Sequence, residues 1–341
     1  MKHLVLGFSI AVAMATASAQ ETAAANITPA AVVQGGAEES GHERIVVVGQ
    51  RPGPGLWKVS KGDHVLWIFG RYDPLPVGLE WRSEEVERVL SQSQEFIGPP
   101  SSNASIGFFK GLTLLPHLMN IKKNPDGATL KDLLPADVHG RWLALKARYL
   151  GVNDAIERER PIFAIEQLNG AAMKKSGLSG DREVVRKLDA LVAQYKLKRT
   201  STTIKLDIDN LGKVVREVKK SSVNDVACFS DRIARLETDI EAMRVRANAW
   251  AKGDIAVIEK LGYPDMSGNC FDAIFGSAAL KDVAALKDIG ARMDAAWLGA
   301  VERALATNKS TFAVLNINGL LKPDGLMATL AAKGYTVDKP E

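Results

Sequence analysis

Three chemically different side chains, Arg71, Tyr72 and Asp73, follow directly behind the apolar segment His64–Phe69 and the glycine that ends it. An apolar run of this length, bounded by glycine, predicts a buried strand. In an open α/β sheet, ligands bind beyond the carboxyl end of a strand, because the loop there lies outside the packed layers. Arg71, Tyr72 and Asp73 are therefore predicted to orient a bound ligand.

The sequence contains no standard motif for metal-dependent or nucleophilic catalysis. His64, His117 and His139 belong to no His-x-x-x-His, His-x-His or Glu-x-x-His pattern, and are expected to be surface or capping residues. There is no Gly-x-Ser-x-Gly nucleophile turn. The segment Asp207–Gly212 resembles the start of a calcium loop, but apolar residues occupy two of the required ligand positions. No metal and no cofactor are expected.

The strands that must position the site come from both ends of the chain. Leu56–Val59 and His64–Phe69 are predicted to pair as a hairpin through a turn at Lys61–Asp63. Glu95–Ile97, Thr311–Ile317 and Tyr335–Val337 are the remaining predicted strands.

Helical periodicity dominates between about residues 106 and 290. Apolar residues recur at spacings of four and three from Phe229 to Trp250, which predicts one helix that packs as in a coiled coil. Further helices are predicted after Ser83 as N-cap, over about residues 281–308, and from Leu326 to Lys333. The expected fold class is α/β (α+β), with a sheet built from N- and C-terminal strands and a large helical insertion.

The N-terminal part predicts export. Lys2 and His3 precede an apolar run, and Ala17–Ala19 forms a small-residue cleavage site, so residues 1–19 are predicted to be a signal peptide that is cut after Ala19. The alternative is an uncleaved anchor. No later segment is apolar enough to span a membrane. The protein is therefore predicted to be periplasmic or secreted.

Residues 20–53 are rich in Ala, Thr, Gly and Glu and predict a flexible linker, and residues 54–341 are predicted to be the folded domain. Within the linker, Arg44–Arg51 is an apolar segment flanked by arginines. It resembles the short box by which outer-membrane receptors engage TonB, and the alternative is an edge strand or a sticky linker.

The charge pattern argues against nucleic acid as a partner. Of the residues, 46% are hydrophobic and 25% charged, and the formal net charge is only +4. Basic residues are interspersed with acidic ones, whereas a nucleic-acid-binding face requires clustered positive charge.

The two cysteines are Cys228 and Cys270. In an oxidising compartment a disulfide between them is expected. Two free thiols or a reactive cysteine are the alternatives.

Both ends of the chain resemble the TraB/GumN family, which is similar to the Tiki metalloproteases. The resemblance rests on Leu56–Val59, Leu75-Pro76 and Trp81–Ser83 near the N-terminus and on Pro323–Leu326 near the C-terminus. It extends from about Gly55 to Asp338.

The family's metal ligands are missing from the matching positions. The first Gly-x-x-His of the family is Gly70–Asp73 here, the second is Asn316–Gly319, and Pro99 occupies the position of an acidic residue. Asp73 is thus the only metal-capable side chain among the three. The resemblance implies that Asn316 and Asn318 join the Arg71–Asp73 cluster, and that Arg292 occupies a position where the family tends to carry arginine.

Three functional hypotheses follow. The first is a non-catalytic binding protein whose metal site has degenerated, with Arg71, Tyr72, Asp73, Asn316 and Asn318 as ligand-binding residues. The bound partner would be a small molecule, a peptide or an envelope protein. Alternatively, these polar groups satisfy one another and replace the lost metal.

The second hypothesis is a hydrolase or peptidase with a rearranged site at Asp73, Arg71 and Arg292. The third is an envelope structural or docking protein that uses Arg44–Arg51.

Overall fold

Strands from the two ends of the chain lie side by side in one sheet. The computed structural model describes residues 53–103, 120–208, 211–220, 226–262, 280 and 283–340. The ten strands in this part of the chain are β1 (Leu56–Lys61), β2 (His64–Arg71), β3 (Leu75–Pro76), β4 (Glu95–Ile97), β5 (Ser101–Asn103), β6 (Leu178–Ser179), β7 (Lys198–Thr200), β8 (Thr203–Lys205), β9 (Ser310–Asn316) and β10 (Thr336–Asp338).

Six of these strands form a mixed sheet in the order β10-β1-β2-β9-β4-β7. Strands β10, β1 and β2 pair antiparallel, whereas β2, β9, β4 and β7 run parallel. The predicted hairpin is confirmed, and Gly62 makes its turn with φ of 61°. The α/β fold class is therefore confirmed, with sheet strands contributed by both ends of the chain.

The described residues contain twelve α-helices. They are α1 (Glu84–Gln92), α2 (Leu130–Leu133), α3 (Ala136–Tyr149), α4 (Pro161–Lys175), α5 (Arg182–Gln194), α6 (Leu211–Lys220), α7 (Val226–Thr238), α8 (Ile240–Ala251), α9 (Ile255–Leu261), α10 (Ile289–Thr307), α11 (Ile317–Leu321) and α12 (Leu326–Ala332).

Two hydrophobic clusters lie under these helices. The larger one joins the sheet to apolar residues of α1, α5, α8, α9, α10, α11 and α12. Within it, Phe96 stacks on Phe312 at a ring-centroid distance of 6.1 Å, and Phe312 stacks on Phe69 at 6.3 Å. The second cluster joins α2, α3, α4 and α7 around Trp142 and Phe229.

The prediction of one continuous helix from Phe229 to Trp250 was wrong. The helix is interrupted at Asp239, which precedes α8, and each half packs into a different cluster. Asp239 accepts two hydrogen bonds from the buried Arg246 guanidinium, at 2.8 and 3.3 Å. The spacing of the apolar residues is regular across the break, so periodicity alone does not show that the two halves contact different partners.

Three smaller predictions also needed correction. Strand β7 comes from within the helical insertion and extends the sheet. Helix α10 begins only at Ile289, because Ala284–Leu286 form a separate 3-10 turn. Ser83 does precede α1, but its hydroxyl makes no cap; it donates to Glu87 Oε1 at 2.5 Å and accepts from Lys187.

Several predictions concern residues outside the described ones. These are the signal peptide, most of the linker with Arg44–Arg51, His117 and Cys270. Cys228 itself is fully buried in α7. Within the described part of the chain, no helix combines the length and the apolar composition that crossing a membrane requires.

Candidate functional site

The carboxyl ends of β2 and β9 lie side by side at one edge of the sheet. Because these strands are parallel neighbours in register, Gly70 pairs with Leu315 and Arg71 pairs with Asn316. Two segments far apart in the chain are thereby brought together, as the sequence resemblance implied.

Arg71 forms an ion pair with a residue that the sequence analysis did not select. Its guanidinium donates to both carboxylate oxygens of Asp181, with distances of 2.5 Å from Nε to Oδ2 and 3.1 Å from Nη2 to Oδ1. Asp181 is buried at the start of α5. The only sequence signal was an aspartate in front of an amphipathic helix, which indicates a helix start and not a partner for Arg71.

Tyr72 lies beneath the surface. Its side chain is almost completely buried, and its hydroxyl donates to the Met243 carbonyl at a distance of 3.2 Å. The neighbouring Arg246 is also buried. Burial opposes the charge of Arg246, but the hydrogen bonds and negative charge of Asp239, together with Tyr72, outweigh burial and raise the pKa of the guanidinium. Tyr72 therefore belongs to the packed layer beneath Arg71 and Asp73 and is not exposed to a ligand.

Asp73 is an exposed residue, but its neighbours shield part of its carboxylate from water. Its Oδ1 atom is 3.8 Å from the position that a Cβ atom on Gly180 would occupy, so it adjoins the residue before Asp181. The surrounding protein raises the pKa of Asp73 by removing water from the carboxylate, the negative charge of Asp181 raises it further, and Arg71 opposes both effects.

Two substitutions near Asp73 are expected to shift its pKa in opposite directions. Asp181→Asn removes a negative charge and leaves Arg71 available to Asp73, so the pKa of Asp73 should fall. Arg71→Gln removes the opposing positive charge, so the pKa should rise. Carboxyl-carbon NMR titration measures both, with Asp73→Asn identifying the resonance. A shift in the same direction in both variants would contradict the assigned cause.

A raised pKa also has a consequence for stability. Between the pKa of Asp73 in the unfolded chain and its higher value in the folded one, the folded state binds more protons. Stability contributed by this group therefore falls as the pH rises through that interval. Asp73→Asn removes this penalty and should make the protein more stable at neutral pH.

Asn316 and Asn318 form one local structure. The side-chain oxygen of Asn316 accepts from the Asn318 backbone N–H at 2.9 Å and caps helix α11. Because α11 begins directly after β9, Gly319 lies within a helical turn instead of an extended loop.

Arg292 lies away from this group. It is on the exposed first turn of α10, and its Nη1 atom donates to the Ala285 carbonyl at 2.7 Å. It lines a separate cavity of about 510 Å³ together with Lys205, Asp207 and Lys287, and neither Arg71 nor Asp73 lines this cavity.

A groove of about 440 Å³ adjoins the Arg71–Asp181 pair. It lies between the segment from Leu75 to Trp81 and the start of α5. Its lining residues are Leu75, Pro76, Leu79, Glu80, Trp81, Ser179, Gly180, Asp181, Glu183, Val184 and Lys187. Gly180 and Asp181 thus connect this groove to Asp73 and Arg71.

The model of the TraB/PrgY/gumN family matches residues 55–339. The chain belongs to the TraB/PrgY/gumN family. Comparison with curated proteins gives no match, and comparison with solved structures gives none either.

The residues at the three positions that the sequence resemblance aligns with metal ligands do not fit a catalytic metal ion, because Asp73 is the one metal-capable side chain among them. Proline and glycine side chains at Pro99 and Gly319 have no donor atom. The Pro99 carbonyl already accepts from Thr202 Oγ1 at 2.9 Å. No group of three or more His, Cys, Asp or Glu side chains suited to a metal ion occurs among the described residues. A hydrolytic zinc site requires about three converging protein ligands.

Two of the candidate histidines make local contacts elsewhere. His64 Nδ1 lies 2.8 Å from the Asn308 carbonyl at the opposite, amino edge of β9. His139 Nε2 lies 3.4 Å from Glu157 Oε2 in the helical part.

Proposed function

We propose that this TraB/PrgY/gumN family member acts as a binding protein that takes its ligand at the carboxyl edge of the sheet. The observation that carries the proposal is the bidentate Arg71–Asp181 ion pair beside Asp73, at the position where the family pattern has a metal-binding histidine. In this proposal, the Arg71–Asp181 pair and Asp73 take the place of side chains that would bind a metal ion.

The groove beside this ion pair supplies the space for a ligand. Its volume of about 440 Å³ lies in the range of small-molecule sites, and its lining combines apolar side chains with a few polar ones. Apolar surface contributes affinity, while Arg71 and Asp181 keep a fixed orientation because each is held by the other. Such a site can bind a small molecule, a peptide or a segment of an envelope protein.

Metal analysis together with a turnover screen tests this proposal. The purified protein should contain metal well below one equivalent per chain. It should also show no peptidase or esterase turnover that a chelator removes. Stoichiometric metal combined with chelator-sensitive turnover would overturn the proposal.

A second candidate function is hydrolysis at a rearranged site, and it is favoured by the raised pKa of Asp73 beside Asp181. A carboxyl group that retains its proton closer to neutral pH is suited to proton transfer, and Arg71 would orient the substrate. In that case Asp73→Asn abolishes turnover without loss of thermal stability, whereas in a binding protein no turnover exists to be lost. Arg292 lines a different cavity, and its place in such a site requires a substrate that reaches both.

The proposal also includes export of the protein and a disulfide between its two cysteines. A signal peptide cut after Ala19 places the protein in the periplasm or outside the cell, where Cys228 and Cys270 form a bridge. Intact-mass analysis of the exported protein should show the loss of residues 1–19. It should also show the loss of two hydrogens through disulfide formation, and a reductant should restore these hydrogens. Cys228→Ala with Cys270→Ala is expected to lower the unfolding free energy by about 2–4 kcal/mol. Unchanged stability, or a mass with both thiols free, would contradict the bridge.

A third candidate is partner docking through Arg44–Arg51. The supporting observation is the apolar composition of this segment between two arginines. Deleting it should abolish co-purification of an envelope partner while leaving binding at the groove unchanged.

A further inference from the structure

One wall of the groove is an aromatic ring held in a fixed position. Trp81 lies 5.9 Å from both Phe69 and Trp250, measured between ring centroids, and so belongs to the aromatic cluster of the core. Leu79 adds aliphatic surface to the same groove, and the largely buried Leu75 and Val184 lie at its base. The apolar surface continues at its margin, where Val77 is 69% exposed in the turn between Pro76 and Leu79.

The Trp81 ring already has a positively charged group beside it. The Lys187 ammonium lies 5.3 Å from the ring centroid. It pairs with Glu87 at 3.2 Å and donates to Ser83, so its own charge is balanced. A cation near an indole ring is stabilised by the negative face of the π system.

The charged residues that line the groove are predominantly acidic. Among the described residues of the lining, Glu80, Asp181 and Glu183 contribute three carboxylates and Lys187 is the one cation. Glu80 forms no ion pair with any residue that the structure describes. Glu183 has only Arg186, at 3.9 Å, and both side chains are largely exposed, so this pair is weak. Because Arg71 balances Asp181 and Glu87 balances Lys187, the excess negative charge at the margin of the groove comes from Glu80 and Glu183.

We propose that the ligand of this groove is an organic cation with an apolar body, either a free amine or the lysine or arginine side chain of a peptide. The inference rests on the proposed binding function and names the ligand class of that site. The apolar body would occupy the surface formed by Leu75, Leu79 and Trp81. The cationic group would lie near Glu80 and Glu183, where electrostatic complementarity selects positive charge.

Three probes of similar size and different charge test the proposal. Phenethylamine is cationic, phenethyl alcohol is neutral and hydrocinnamate is anionic. Titration calorimetry should show phenethylamine binding about tenfold more tightly than the alcohol, with hydrocinnamate weakest. The preference should shrink with added salt because the carboxylates are exposed. Acetyl-phenylalanyl-lysinamide, compared with phenethylamine, then identifies the source: tighter binding of the dipeptide indicates a peptide side chain, and the reverse indicates a free amine.

Removing the carboxylates should remove the preference. Glu80→Gln with Glu183→Gln is expected to reduce the ratio between the cationic and neutral probes to about threefold or less. The control is Glu259→Gln with Glu302→Gln, which changes the net charge equally at surface ion pairs outside the groove lining. Circular dichroism confirms that both double variants are folded.

Three results would overturn the inference: no saturable binding of any probe, equal binding of all three, or tightest binding of hydrocinnamate. None of these depends on the metal analysis or the turnover screen. A charge preference can therefore stand when turnover is found, and it can fail when turnover is absent.

Discussion

Arg246→Met is expected to lower the unfolding free energy by about 3–5 kcal/mol, because it leaves a largely buried carboxylate without its partner. The Arg246 side chain is 4% exposed and that of Asp239 is 13% exposed, and two hydrogen bonds join them. Asp239 stands at the break between α7 and α8. Losing Arg246 therefore affects the junction of both hydrophobic clusters and the support beneath Tyr72.

Chemical denaturation measures this effect, and two further variants establish its cause. Arg186→Met removes an exposed partner of Glu183 and should cost about 0–1 kcal/mol. Arg246→Met combined with Asp239→Leu removes both charges and should recover much of the stability lost by the single variant. If the double variant is less stable than Arg246→Met, the uncompensated charge is not the cause.

Trp250→Ala is the second large expected effect, with a loss of about 3–5 kcal/mol of unfolding free energy. The Trp250 side chain is fully buried and its Nε1 atom donates to the Gly70 carbonyl at 2.6 Å. It also contacts Phe69 edge-on, with ring centroids 6.0 Å apart. The substitution opens a cavity under Trp81 and frees the end of β2, so probe binding in the groove should weaken as well.

Two comparisons separate the contributions of Trp250. Trp250→Phe retains most of the volume but leaves the Gly70 carbonyl without its donor, and is expected to cost about 1–3 kcal/mol. Trp67→Ala truncates a tryptophan that is only half-buried in β2, and should cost less than Trp250→Ala. Equal losses for Trp67→Ala and Trp250→Ala would show that burial does not govern the result.

The sequence predicted the strands better than the site. Apolar runs located β1, β2, β4 and β9 to within two residues at either end, because glycine, proline and turn residues bound these segments. The helical period showed that the insertion is mainly helical, but it did not give the bounds of most of its helices. Strand β7 was not predicted because Lys198–Thr200 is short and polar, and it becomes a strand only by pairing with β4.

The site depends on contacts that no local pattern contains. The sequence resemblance implied that the segments after β2 and β9 meet, and the register of Arg71 with Asn316 agrees. It did not indicate Asp181, whose role follows from the packing of α5 near the end of β2. Nor did it indicate that Asn316 would cap α11, or that Arg292 would line another cavity. Tertiary packing assigns these partners.

The sheet order also constrains when the protein can fold during synthesis. Strand β9 lies between β2 and β4, and β10 pairs with β1, so three strands made early must wait for partners near the C-terminus. A nascent chain on the ribosome can form the β1–β2 hairpin and isolated helices but not the central parallel pairing, which makes folding slow and late. If the chain is exported as proposed, this delay keeps the polypeptide unfolded while it passes through a translocation pore.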